Sequence, residues 1–195
     1  ALCEALRGVV KRHEALRTGI VEREGEAAQV VDAAERGLVV KEYDLGSSGE
    51  GELGAILEQE TGAEFDLEQG PLMRAGLVAL GDREHVLVVT MHHIVSDGWS
   101  VGILVREVSA LYAAFSAGAG DPLEPLAVQY ADYAAWQREW LGSGELERQA
   151  EYWKRTLSGA PSELELPTDR ARRSEQDHRG ARLGVVLGRG VSEKL

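Results

Sequence analysis

The order of apolar and polar positions predicts an alternation of helices and strands in the first third of the chain. Apolar side chains recur at helical spacing in residues 1–13, which predicts an amphipathic helix that begins without a capping residue. Three short β-rich runs, separated by Gly, Glu and Asp, predict strands in GIVERE, AAQVV and LVVKEYDL. The stretch GSSGEGELG then predicts a loop that leads into a helix near 52–62.

The pattern in the remainder of the chain adds a hairpin and a set of longer helices. PLMRAGLVAL and EHVLVVTMHH predict two strands on either side of a Gly-Asp pair, which is typical of a β-hairpin. The spacing of Val101, Leu104, Val108 and Leu111 predicts one long helix at about 98–117. VQYADYAAWQREWL and GELERQAEYWKRTL predict two further helices divided by GSG, whereas ARLGVVLG predicts a strand and VSEKL the start of a helix. These elements indicate an α/β or α+β protein built around a mixed sheet.

Composition narrows the class of protein. A chain of 195 residues with 44% apolar residues suits one globular domain, or one lobe of a larger domain. The net charge of −12 argues against nucleic acid as a partner. The single cysteine, Cys3, excludes an internal disulfide and fits a cytoplasmic location. No apolar run approaches the ~20 residues of a membrane span, and the first residue falls within a helical pattern, so we expect a piece of a longer protein.

The stretch MHHIVSDGWS, residues 91–100, carries the candidate chemistry where a predicted strand meets a predicted helix. We expect the strand to include both histidines, so that His92 and His93 face opposite sides of it and do not chelate one metal ion together. No HExxH or other ligand set indicates a metal site. One imidazole that faces a cleft has the pKa range for acid–base catalysis. A purely structural histidine at a strand end is the simpler alternative.

The residues that follow the two histidines have candidate roles of their own. Gly98 would let the backbone come close to a ligand, and the first N–H groups of the next helix could face an oxyanion. Asp97 is predicted either to cap that helix or to pair with an arginine that holds the loop. Trp99 and Ser100 are candidates for the lining of the cleft.

Four stretches together resemble the condensation domains of nonribosomal peptide synthetases. MHHIVSDGWS contains the HHxxxDG core, which other acyltransferases share. Three further stretches agree in order and spacing: RHEALRT at 12–18, YADYAAWQREWL at 130–141 and YWKRTLSGAPSELELPTDR at 152–170. The four stretches are distributed between residues 12 and 170, and together they make the resemblance specific. The form HHIVSDGWS is most similar to the subtype that joins two L-configured residues.

The resemblance implies a lobe like that of chloramphenicol acetyltransferase, which is a two-layer α+β sandwich with helices covering a mixed sheet. A whole condensation domain is a pseudodimer of two such lobes with a tunnel between them. Residues 1–195 would form the N-terminal lobe, truncated at both ends and lacking the second lobe. We therefore expect the isolated lobe to be inactive and to have an apolar face through which it could self-associate.

The resemblance also implies an activity and partners. The amine of one carrier-bound aminoacyl thioester would attack the donor thioester on another carrier, so that no bound cofactor is needed and phosphopantetheine arrives on the carriers. The partners would be donor and acceptor carrier proteins, the missing C-terminal lobe and an adjacent adenylation domain. An ester-forming acyltransferase and a non-catalytic carrier-binding lobe are the alternatives. We expect Trp136, Trp140 and Trp153 in the core, with carrier contact as the alternative.

Individual roles follow from the match to the family motifs. His93, the second histidine, would lie beside the attacking amine as a base or as a positioning group. Gly98 would offer its backbone to the thioester or its oxyanion. The residues that the resemblance makes structural are His92, Asp97 and its candidate arginine partners Arg12 and Arg17.

Overall fold

The structure is a computed structural model that describes residues 1–34, 38–46, 50–162, 164, 167 and 183–193. The chain divides into two compact units, Ala1–Gln149 and Ala150–Leu195. Residues 91–100 belong to the first unit.

Helices and strands follow one another much as the apolar pattern predicts. In the first part of the chain they are α1 (Leu2–Arg12), a 3-10 turn (Glu14–Arg17), β1 (Thr18–Arg23), β2 (Glu26–Val31), β3 (Val40–Asp44) and α2 (Glu50–Gly62). They continue with β4 (Met73–Ala79), β5 (His85–Met91), α3 (Gly98–Ser116), α4 (Tyr130–Trp140), α5 (Leu146–Thr156) and α6 (Arg189–Ser192). The chain kinks between α4 and α5 at Gly144, whose φ of 98° suits glycine.

The strand predicted in ARLGVVLG is wrong over its described part, because residues 183–188 form no strand. An apolar run becomes a strand only where another strand pairs with it. The helix expected to start in VSEKL begins slightly earlier, at Arg189. Most of the residues between 163 and 182, which precede this run, lie outside the described part of the chain.

The strands form two separate sheets. β1 and β2 make an antiparallel hairpin that turns through Glu24 and Gly25, both of which have positive φ. In the second sheet β4 is central, with β3 parallel to it on one side and β5 antiparallel on the other. The α/β class and the mixed sheet are therefore confirmed, as is the predicted β4–β5 hairpin.

Helices α1 and α3 cover one face of the mixed sheet. Alternate residues of β4, Met73 and Ala75, point into a buried cluster together with Leu111 of α3. The residues of α1 in this cluster share one helical face and are Ala5, Leu6, Val9 and Val10. A Cβ atom on Gly8 would lie 3.2 Å from Leu111 Cδ1, so the glycine permits close packing of the two helices.

Helix α2 covers the opposite face and brings a carboxylate into it. Glu60 is only 2% exposed, and its Oε1 accepts hydrogen bonds from Lys41 Nζ at 2.7 Å and Tyr43 OH at 2.6 Å. The hydrogen bond from Lys41, followed by that from Tyr43, lowers the pKa of Glu60 below its ordinary value. Both donors come from β3, so this buried group fastens α2 to the sheet.

The aromatic residues of α4 do not enter the core, so the expectation for Trp136 and Trp140 is wrong. It is also wrong for Trp153 of α5, which is exposed. Both tryptophans of α4 are exposed, and their rings stack on each other with centroids 5.7 Å apart. Tyr133 extends the row towards Tyr130, which begins the helix. The four rings share one helical face, and they contact one another instead of the sheet.

We expect Glu60→Ala to lower the free energy of unfolding by about 2–3 kcal/mol, because two donors lose a buried acceptor. Glu58→Ala, on the exposed side of the same helix, is the matched control and should change it by less than about 0.5 kcal/mol. Chemical denaturation at neutral pH measures both values. Equal stabilities of the two variants would contradict the role of Glu60 as a buried acceptor that stabilises the fold.

The effect of Glu60→Ala on the free energy of unfolding should also depend on pH. Because the folded-state pKa of Glu60 is lowered, its contribution is present above the ordinary glutamate range and is lost as the pH falls through the folded-state pKa. The difference between wild type and Glu60→Ala should therefore shrink on acidification.

Candidate active site

The junction between β5 and α3 holds the candidate site, and the backbone determines its geometry. The β4–β5 ladder runs to the pair Met73–Met91, after which the His92 N–H donates to the Leu72 carbonyl at 3.0 Å. The chain then turns, and the Val95 N–H donates back to the His92 carbonyl at 3.1 Å. The strand thus ends at Met91, and the expectation that His92 and His93 alternate across it is wrong.

The turn nevertheless gives the two histidines different surroundings. His92 is partly buried, and its Nδ1 accepts the Ile94 N–H at 3.0 Å. Its carbonyl also accepts the Ser96 hydroxyl at 3.2 Å, and its ring meets that of Phe65 edge-on. His93 is exposed. The side chain and carbonyl of His92 therefore hold the turn that presents His93.

Asp97 caps helix α3 through a reciprocal pair of contacts with Ser100. Its Oδ1 accepts the Ser100 N–H at 2.8 Å and the Ser100 hydroxyl at 2.7 Å, while the Asp97 N–H donates to Ser100 Oγ at 3.3 Å. The backbone bond from Ser100, then its hydroxyl, lowers the pKa of Asp97, and the charge of His93 adds a smaller effect. The capping alternative for Asp97 therefore describes this structure.

The described structure does not pair Asp97 with Arg12 or Arg17, which was the second alternative, and both arginines have other partners. Arg12 Nε donates to Glu107 at 3.2 Å, and its Nη1 donates to the Glu124 carbonyl. Arg17 donates to Glu14 at 3.3 Å and to a backbone carbonyl of the β2–β3 connection. The Asp97 carboxylate instead accepts hydrogen bonds from Ser100, three residues away. Asp97 therefore lacks the long-range ion pair that the family motif implies.

The stretch RHEALRT at 12–18 supports the site through Gln129 and not through Asp97. Gln129 donates from Nε2 to the Arg12 carbonyl at 3.0 Å and accepts the Glu14 N–H at 3.1 Å on Oε1. These bonds fix the start of α4 beside the 3-10 turn, which places Tyr130 next to the histidine loop. Sequence reasoning missed Gln129 and Tyr130, since only their long-range contacts give them this position.

His93 lies at a shallow open cavity of about 210 Å³. The described residues that line it are Ala15, His93, Ile94, Val95, Ser96, Asp97, Ser100 and Tyr130. A more apolar cavity of about 180 Å³ adjoins it and reaches towards α1 and α3. The two cavities share Ala15, Val95, Ser96, Ser100 and Tyr130. A group held at His93 therefore has room for an apolar substituent beside it.

Gly98 and Trp99 lie on the open side of this site. Gly98 begins α3, and a Cβ atom built on it would meet nothing within 4 Å. Trp99 is 82% exposed and is absent from the described lining of both cavities, whereas Ser100 belongs to both linings. The described residues of the site therefore form an open surface, which does not enclose a substrate.

Two structural features bear on the class of site. Among the described residues, no group of three or more His, Cys, Asp or Glu side chains is placed to hold a metal ion. The helices described here include none that is both long and apolar enough to span a membrane.

Comparison with known proteins establishes the family. The profile of the condensation domain family matches residues 1–195, so the chain belongs to this family. It is 49% identical to part of malpinin synthetase from Mortierella alpina and 45% identical to part of a linear gramicidin synthase from Brevibacillus parabrevis. Those matches cover 100% and 98% of this chain but only 2% of each relative.

Solved structures agree with the sequence comparison. The X-domain from teicoplanin biosynthesis superposes with a TM-score of 0.77 at 35% identity, covering 88% of this chain and 38% of that chain. The epimerization domain from the third module of tyrocidine synthetase B gives a TM-score of 0.73 at 29% identity and covers 88% and 39%. The chain therefore spans well under half of these structures. The recognised family and the chloramphenicol-acetyltransferase-like fold are confirmed.

We expect Asp97→Ala to lower the melting temperature by a few degrees, because α3 loses its cap. Asp97→Asn should stay near wild type, since an amide oxygen can still accept both bonds from Ser100. Asp82→Ala, an exposed aspartate in the β4–β5 turn, is the control. Thermal unfolding followed by circular dichroism makes the comparison. An Asn variant as unstable as the Ala variant would instead indicate that the negative charge pairs with an arginine.

Proposed function

We propose that this chain is the N-terminal lobe of a condensation domain that forms peptide bonds in nonribosomal peptide synthesis. The observation that carries the proposal is the HHxxxDG motif, which lies at the β5–α3 junction with only its second histidine exposed at a cavity. The superposed structures are more than twice as long as their matched part, which supports a second lobe outside these residues. The form HHIVSDGWS makes donor and acceptor L-configured residues our specific proposal.

The proposed reaction joins an amine to a thioester carbonyl. The acceptor nitrogen attacks the donor carbonyl carbon and forms the C–N bond, the amine loses a proton, and the C–S bond breaks to release a thiol that takes up a proton. His93 either accepts the amine proton or holds the amine in line, and both roles require an exposed imidazole at the cavity. The Gly98 amide, at the open start of α3, faces the developing oxyanion.

Substrates and partners follow from this chemistry. Both acyl groups arrive as phosphopantetheine thioesters on donor and acceptor carrier proteins, and an adjacent adenylation domain loads the acceptor carrier. The apolar cavity beside His93 accommodates an apolar part of a substrate. No resident cofactor takes part, since the amine and the thioester contain all the reacting atoms.

A second lobe completes the site in this proposal. The outer side of α3 exposes Val101, Val105 and Tyr112 at helical spacing, next to the exposed Trp99. The second lobe covers part of this surface, excludes water from His93 and aligns the amine. A lone lobe is therefore inactive, and the uncovered stripe is where two copies would associate.

A non-catalytic binding lobe is the second candidate. It is favoured by one solved structure, at 36% identity and a TM-score of 0.74, which is a complex of the teicoplanin X-domain with OxyB. An ester-forming acyltransferase differs only in using an alcohol acceptor. Assays with an aminoacyl acceptor and with a hydroxyacyl acceptor separate all three possibilities, because the binding lobe gives no product with either and the ester-forming enzyme requires the hydroxyacyl acceptor.

We expect His93→Ala, in the two-lobed protein, to reduce dipeptide formation by about 100-fold or more. His85→Ala removes an exposed histidine at the far end of β5 and serves as the control with near-wild-type turnover. Mass spectrometry of the product formed from loaded carrier proteins measures the rate. Turnover by His93→Ala that matches wild type would refute the role of His93, and no turnover by wild type with either an aminoacyl or a hydroxyacyl acceptor would favour the binding lobe.

A further inference from the structure

Phe65 connects the first motif histidine to an arginine on the neighbouring strand. Its ring meets the His92 imidazole edge-on, with centroids 5.7 Å apart and planes at 82°. On the Phe65 ring lies the guanidinium of Arg74, whose Cζ is 3.8 Å from the ring centroid. Phe65 is thus held by a cation–π contact and in turn contacts His92.

Arg74 is itself anchored by the end of helix α2. Its guanidinium donates to the carbonyls of Ala63 at 2.6 Å, Glu64 at 2.8 Å and Glu60 at 3.3 Å. These carbonyls lie at or just beyond the last turn of α2, where they lack helical partners and carry the negative end of the helix dipole. Three bonds to rigid backbone fix the guanidinium, and therefore the face on which the Phe65 ring rests.

The orientation of the His92 ring in turn constrains the backbone turn that carries His93. Because its Nδ1 accepts the Ile94 N–H at 3.0 Å, a neutral His92 carries its proton on Nε2. The bond spans His93, so the orientation of the His92 ring determines the shape of the turn that presents His93. A His92 ring that rotated away would release the Ile94 amide.

We propose that Phe65 is a positioning residue of the active site, which orients the His92 ring and through it the turn that carries His93. Phe65 lies before β4 and is far from the motif in sequence, and it does not line the described cavity at His93. It acts through His92 and not on the substrate. The kinetic part of this inference rests on the proposed function, whereas its spectroscopic part does not.

The spectroscopic test is the protonation pattern of His92 in the 195-residue protein, read from long-range proton–nitrogen correlation spectra of the imidazole. We expect the Nε2–H tautomer in wild type and in Phe65→Tyr, which keeps the ring. Phe65→Leu should give a mixture of tautomers and faster hydrogen exchange of the Ile94 amide, by about tenfold. Phe65→Met tests the same loss with a different side chain if the Leu variant does not fold.

Phe115→Leu is the matched control, because it makes the same chemical change at a ring packed against the main core. It should lower thermal stability and leave the His92 tautomer unchanged. An unaltered tautomer and Ile94 amide in the Phe65 variants would overturn the inference, as would equal changes in Phe65→Leu and Phe115→Leu.

The kinetic test uses the two-lobed protein with loaded carriers. We expect Phe65→Leu to lower kcat by about tenfold with little change in KM, since misplacement of a catalytic group acts on the chemical step. Phe65→Tyr should restore most of the rate. If wild type forms peptide, the proposed function stands. An unchanged kcat in Phe65→Leu would then overturn the inference about Phe65. An inactive wild type would overturn the proposed function, and the tautomer of His92 alone would then decide the inference.

Discussion

The backbone pairing of β4 with β5 determines where the second strand stops, and the whole motif depends on that position. Pairing ends at Met73–Met91, and one further bond joins His92 to the Leu72 carbonyl. From there the chain has left the sheet, so the next residue is carried by a turn. A ladder that extended two residues further would place both His92 and His93 in the strand and alter the environment of both imidazoles.

The other polar groups of the motif are satisfied by near neighbours, which leaves His93 as the exposed imidazole. Asp97 and Ser100 bond to each other at the start of α3, and the His92 ring bonds to the Ile94 amide. Such local bonds keep the loop in one shape without a long-range ion pair. The rigidity of the loop therefore does not depend on an element that covers it.

Much of the fold and the position of the site could be predicted from the sequence, since both rest on periodic patterns and a local motif. The end of β5 could not be predicted, because the alternation of apolar and polar side chains does not reveal which residue makes the last hydrogen bond of the ladder. The sequence also left two alternatives for the partner of Asp97, since a carboxylate can bond within its own turn as well as to a distant arginine. Contacts of Phe65 and Tyr130 with the motif loop arise from packing between distant elements, of which a single sequence gives no sign.

The central claim is that the turn exposes His93 while it shelters His92. Chemical modification of imidazoles with diethyl pyrocarbonate, located by mass spectrometry over time, tests this most directly. The account predicts that His93 reacts at a rate comparable to the exposed His85 and that His92 reacts much more slowly. Modification of His92 as fast as that of His93 would contradict it.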